Sequence, residues 1–289
     1  MHDVLTRSLL KSHPRLRCPS RLNHYYLTYP SLFIPIMAST KDIKVRYSTA
    51  NVSNSEATKA CSWEKPVPVN NFWDSLDYCL ARNFLGNFSH EELPNLPIDP
   101  DSTASHQEKL TLLLSLLQAK VEQEEALAAQ SSSTLHEADY KKWHSLYQGI
   151  YTYQTELKLL SDAGKTIRML VEKRSSTNDI PLHCFADHLI TAEKDYKQAE
   201  EIEKLVLEKW EKVPQLGRDS PQCINARRII ARAVWMQGKE RREEADTMIA
   251  EIEAITEEMR NGRFAAYLEE ERKLNSEMME KLKAEGPVC

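Results

Sequence analysis

Between Ser105 and about Lys283, apolar residues return every three or four positions in a run cut into pieces too short for a coiled coil. A spacing of i, i+3, i+4 and i+7 puts side chains on one face of an α-helix. Residues 105–129 carry Leu110, Leu113, Leu114, Leu117 and Val121 at that spacing. Ser131-Ser132-Ser133 stops it, and it resumes at Tyr140, Trp143, Tyr147, Ile150 and Gln154. Further breaks fall at Ser175–Asp179, Pro214–Pro221, Gly238 and Asn261-Gly262. Pieces of roughly 12–22 residues predict helices paired through short turns.

Composition agrees. Only 7 glycines stand against 43 acidic residues, so the tight turns of an all-β fold are scarce. A net charge of −5, spread over both signs, argues against a nucleic-acid binder, which needs a basic surface to displace counterions. No stretch reaches the ~18 consecutive apolar residues of a membrane span. The six cysteines, Cys18, Cys61, Cys79, Cys184, Cys223 and Cys289, form no C-x-x-C pair and match no zinc spacing. Reduced thiols in a cytoplasmic protein are the expectation.

The first third of the chain differs. Residues 1–36 carry five basic side chains (Arg7, Lys11, Arg15, Arg17 and Arg21) and one acid, Asp3. That pattern fits a mitochondrial presequence. Pro30 and Pro35 make Tyr25–Ile36 a poor signal-peptide core, and translation starting at Met37 is a third reading. Residues 1–71 are expected to be disordered or extended. Within 72–100, one helix is predicted over Phe72–Phe88, with Phe72, Leu76, Leu80 and Phe84 on one face. A linker broken by Pro94, Pro97 and Pro100 follows. Residues 105–284 form the main helical domain.

One boundary inside that domain is unusually explicit. After Trp210 the chain reads Leu216-Gly217-Arg218-Asp219-Ser220-Pro221. Gly217 suits a left-handed helix C-terminus, Ser220 an N-cap and Pro221 the first helical position. Ala226, Ile230, Ala231 and Val234 follow, then Gln237-Gly238-Lys239, then a second amphipathic helix through Ala245, Ile249 and Ile252. This pattern resembles the tetratricopeptide repeats of kinesin light chains, a subtype also common in fungal proteins. Its signature is L-G-x-D-x-P, then small and apolar residues, then Q-G-K. Weaker copies precede it, with Ala199 and Ala163 in the place of Ala245, Ala199 leading the buried face Ala199, Ile202, Leu205 and Val206. The resemblance covers roughly residues 138–258, with Gly262–Lys283 as a capping helix. It implies an all-α fold of antiparallel hairpins stacked as a right-handed superhelix.

It also implies a function. In that family the first helix of each hairpin lines a concave groove. The register set by Ala231 puts Gln148, Thr152 and Thr155, then Cys184, His188 and Thr191, then Asn225, Arg228, Arg232, Trp235 and Met236 toward it. An exposed Trp235 between arginines would be a binding hot spot. The chain is therefore read as a non-catalytic adaptor or scaffold for another protein or peptide. An acidic partner is implied if Arg227, Arg228, Arg232, Lys239, Arg241 and Arg242 take part; otherwise these pair with Glu240, Glu243 and Glu244. No cofactor, metal, nucleic acid or membrane is expected.

Other chemistry has weaker support in the sequence. Gly164-Lys165-Thr166 resembles the end of a phosphate-binding loop, but Leu159 stands where the loop needs another glycine. Cys184 and His188, with His183 beside them, are too few for a metal site. An α-helical enzyme using those three residues is one alternative. A stand-alone relative of nucleotide-dependent regulators carrying such repeats is another. Residues Glu269 to Lys283 read either as the cap or as a partner-binding helix.

Overall fold

The computed structural model describes residues 44–47 and 65–285; the expectations for residues 1–36, for most of 38–71, and for Cys18, Cys61 and Cys289 lie outside them. Helix makes up 72% of the structure, and strand among the described residues is one two-stranded ribbon, so the fold is all-α. In that ribbon β1 (Val45–Arg46) runs antiparallel to β2 (Val67–Pro68), with Arg46 opposite Val67. The Arg46 guanidinium donates to the carbonyls of Trp73 and Leu76, both at 2.9 Å, fastening the ribbon to the first helix.

The single helix predicted from Phe72 is two helices, α1 (Asn71–Asp74) and α2 (Tyr78–Leu85). Asp77 breaks it by accepting from the Cys79 amide and capping α2, a local bond that competes with continuing the helix. Phe72, Leu76, Leu80 and Phe84 are nevertheless all buried. The proline-broken segment after them packs onto the fold and is no free linker. The Phe72 amide donates to the Pro100 carbonyl, and Leu96 and Ile98 pack against the core. The prolines forbid helix there, but the apolar side chains between them still gain from burial.

The long helix α3 (His106–Ala129) starts with a reciprocal capping box between Ser105 and Glu108. It buries the predicted stripe Leu110, Leu113, Leu114, Leu117 and Val121. A short α4 (Leu135–Ala138) leads into α5 (Tyr140–Glu156), α6 (Leu160–Glu172), α7 (Ile180–His188) and α8 (Tyr196–Glu211). Then come α9 (Pro221–Met236), α10 (Arg242–Glu258) and α11 (Leu268–Glu285). Helix α7 runs into a π turn, Leu189–Glu193, that ends at Lys194 in the left-handed region.

At the Pro221 boundary, Gly217 takes φ +82° and the Ser220 hydroxyl accepts from the Cys223 amide at 3.2 Å. Gly238, at φ +130°, turns the chain out of α9, and one 3-10 turn, Lys239–Arg241, precedes α10. From α5 onward each helix packs on the next in the chain, and α9 also packs on α7 and α11. Ala163, Ala199 and Ala245 are fully buried, as close approach of neighbouring helices requires. One expected core residue is misplaced: Leu205 is 61% exposed, and Glu203 takes the buried position on α8. The stripe of α8 is Ala199, Glu203, Val206 and Trp210, with a carboxylate in its middle.

Candidate functional site

The residues assigned to a groove lie on α5, α7 and α9, but these helices spend most of them on one another. Between α5 and α7, the Gln148 amide donates to Cys184 Sγ at 3.2 Å and the Tyr151 hydroxyl to the Cys184 carbonyl at 3.0 Å. The His188 ring meets Tyr151 edge-on. Between α7 and α9, the Asn225 amide nitrogen lies 3.1 Å from His183 Nε2, and Arg232 donates to Asp187 at 2.7 Å. His183 is the hub of this joint. Its Nδ1 bonds the Glu203 carboxylate of α8 and its ring stacks on Trp210 at 5.0 Å.

The joint between α9 and α11 is the most polar. Arg228 pairs with Glu271, both buried, and its Nε donates to Asn275 Oδ1 at 2.7 Å. Asn275 in turn donates to Thr256 Oγ1 of α10 at 2.9 Å. The Trp235 indole donates to the Leu282 carbonyl at 3.2 Å, while the Arg242 guanidinium covers its ring at 3.2 Å. The exposed tryptophan between arginines is thus a correction. Trp235 is 6% exposed and Arg228 is 5% exposed, because α11 lies across them. Met236, Gln148, Thr152, Cys184 and His188 are buried as well. Thr152, Thr155 and Thr191 each donate their hydroxyl to a carbonyl one turn back on their own helix. Of the assigned set, Thr155, Thr191, Asn225 and Arg232 still reach the surface.

The arrangement also defines what these side chains can do chemically. Burial pushes the Cys184 thiol up to about 12, although Gln148 bonds it, so it carries no thiolate at neutral pH. Burial also raises the Glu203 carboxyl, opposed by His183. Glu203 Oε2 has no hydrogen-bond partner. Burial lowers His188, against the pull of Glu193. Glu193 is held by Arg168 from α6 and sits 3.2 Å from His188 Nε2.

Gly164 belongs to this corner. A Cβ there would stand 3.0 Å from His188 Nε2 and 3.2 Å from Arg168 Nη1, so the glycine serves close helix approach. Its neighbours in the loop-like triplet are engaged locally, Lys165 with Asp162 and Thr166 with Gln154. The basic cluster is likewise paired in part. Arg227 meets Glu211, and Arg241 bridges Glu200 and Glu244. Burial would raise Glu200, but Arg241, Lys204 and Gln237 outweigh it and hold it at about 2.

Sequence reasoning missed Glu203, Glu271 and Asn275. Each was detectable as a polar residue inside an apolar stripe, at Ala199-Glu203-Val206-Trp210 and at Leu268-Glu271-Asn275-Met278-Leu282. Among the described residues no group of three or more His, Cys, Asp or Glu side chains is arranged to hold a metal ion, and no helix is long and apolar enough to cross a membrane. Comparisons with protein-family models, with curated proteins and with solved structures find no match.

Proposed function

We propose that this chain is a non-catalytic protein-interaction scaffold, built as a right-handed stack of helix hairpins of the tetratricopeptide type. The observation that carries the reading is the packing order. Each helix from α5 on lies against the next, and α9 contacts its counterparts α7 and α11 two helices away, as in a solenoid. The engagement of His183 and Cys184 in ties between helices supports the same reading over an enzyme using them. The partner is another protein or peptide, met in the cytoplasm. Thr155, Thr191, Asn225 and Arg232 are the part of the first-helix face open to it.

The test is affinity purification of the full chain from its own cells, followed by titration of the purified partner against wild type and a Thr155→Glu/Thr191→Glu variant. An acidic partner should bind the variant about 10-fold more weakly through added repulsion. Unchanged affinity would remove this face from the interaction.

A further inference from the structure

Two segments carry separate interaction signals in the sequence, the α9 face with Arg228 and Trp235 and the helix from Glu269 to Lys283. In the structure each is the other's occupant. We propose that the face formed by α9 and α10 around Arg228, Trp235 and Thr256 is a helix-binding site that α11 fills in cis, and that a partner binds there as an acidic amphipathic helix displacing α11. This rests on the scaffold reading and names the partner's chemistry.

The geometry is that of a helix laid in a groove. Leu268, Glu271, Asn275, Met278 and Leu282 follow one another at spacings of three and four, and all are buried. The ends of the stripe are apolar and its middle is polar. The middle is what the site reads. Arg228 is buried, so any helix lying on it must bring a carboxylate or leave a guanidinium charge unpaired away from water. An amide one turn later satisfies Arg228 Nε and Thr256 together, as Asn275 does. The site therefore selects Glu-x-x-x-Asn flanked by apolar residues and rejects a wholly apolar helix.

α11 is also the element built to leave. Its buried apolar side chains are Leu268, Met278 and Leu282, whereas α9 buries Ile224, Ile229, Ile230, Val234, Trp235 and Met236. The connection before it is non-α, two single 3-10 turns at Met259–Asn261 and Ala265–Tyr267 around Gly262. Phe264 and Tyr267 are buried and anchor that connection, which places the pivot at Leu268. The outward residues Glu269, Lys273, Ser276, Glu280 and Lys281 are exposed and of mixed charge, and the surface tie that release breaks is the two-pronged ion pair of Arg272 with Glu257 of α10, which water largely replaces. An element with few buried apolar contacts opens below the free energy of global unfolding.

Hydrogen exchange on the unaltered full chain is the first test. The α11 amides should exchange at least ~100-fold faster than those of α9, and equal protection overturns the proposal. The second test adds a labelled synthetic peptide of residues 268–285, the part beyond the pivot, to the full chain. A Glu271→Arg chain, its own α11 repelled by Arg228, should bind the peptide ~10-fold more tightly than wild type does. An Arg228→Glu chain should refuse that peptide and accept one carrying Glu271→Arg. A Glu271→Arg chain with wild-type protection in α9 but no gain in peptide binding overturns the proposal. If that variant does not fold, Glu271→Gln replaces it, read against the same wild-type titration. No partner protein enters either test, so failure here is distinguishable from failure of the scaffold reading.

Discussion

From Phe72 to Tyr153 aromatic rings fill much of the contact between helices, with one ion-pair cluster of Lys120, Glu124 and Lys142 between α3 and α5, whereas from Ile180 to Leu282 ion pairs and amides recur from joint to joint. In the first region Phe84 contacts Trp73, Phe88 and Tyr153 ring to ring, and the Tyr153 hydroxyl donates to the Leu80 carbonyl at 2.9 Å. Of its two buried lysines, Lys109 donates to the Asn71 carbonyl and to Ser75 Oγ, closing off α1, and Lys120 pairs with Glu92 and Glu124. In the second region polar ties cross three joints: His183 with Glu203 between α7 and α8, His183 with Asn225 and Asp187 with Arg232 between α7 and α9, and Arg228 with Glu271 between α9 and α11. Rings of unequal shape fit in one way. Similar helices with Ala and Ile faces can slide by a turn at little cost, and a buried pair penalises every register but one. The two solutions fix packing differently, one by the shape of rings and the other by the pairing of buried polar groups.

The largest expected effect breaks the aromatic side. Phe84→Ala should cost about 3–5 kcal/mol in urea denaturation, since a large ring leaves a packed cluster. Next, on the polar side, Glu271→Leu alone should cost about 3 kcal/mol by stranding Arg228. The double change Arg228→Met/Glu271→Leu should recover to within about 1 kcal/mol of wild type. A double change as harmful as the single one would show that the tie contributes attraction and not only register.

pH separates the regions further. His144, in the first region, is held at about 4 by burial. Its folded value is below its unfolded one, so its contribution is complete above about 6.5 and is lost as pH falls toward 4, on the order of 2–3 kcal/mol. Glu203 shifts the other way. Burial raises it, so its contribution is present in acid and is lost as pH rises through the raised value. Denaturation midpoints across pH 4–7 should therefore slope less in a His144→Phe chain; an unchanged slope would remove His144 as the cause. The smallest matched pair is Ser105→Ala and Ser220→Ala. Each removes one helix cap and should cost about 1 kcal/mol by thermal melting, the same in both regions.

Much of the second region is legible from local sequence alone. Gly217, Ser220, Pro221 and Gly238 act within a few residues of themselves, through φ, a missing N–H and a capping hydroxyl, so their reading needed no tertiary information. The stripe of α3 was legible because a helix of that length repeats its period often enough to be unambiguous. Leu205 and Glu203 were misread because two adjacent stripes on α8 were comparably apolar, and only the neighbouring helices select one. The groove was misread for a related reason. Arg228 and Trp235 look like surface chemistry until α11, distant in sequence, lies across them.

The sequence by itself determined several helix ends, at Ser105, at Gly217 to Pro221 and at Gly238, and that the fold is all-α, because capping, turn geometry and periodicity are local. Only the tertiary structure decided which face of each helix is inside and which polar residues pair. A buried charge is tolerable only beside its partner, and for Arg228 that partner, Glu271, stands far along the chain on another helix.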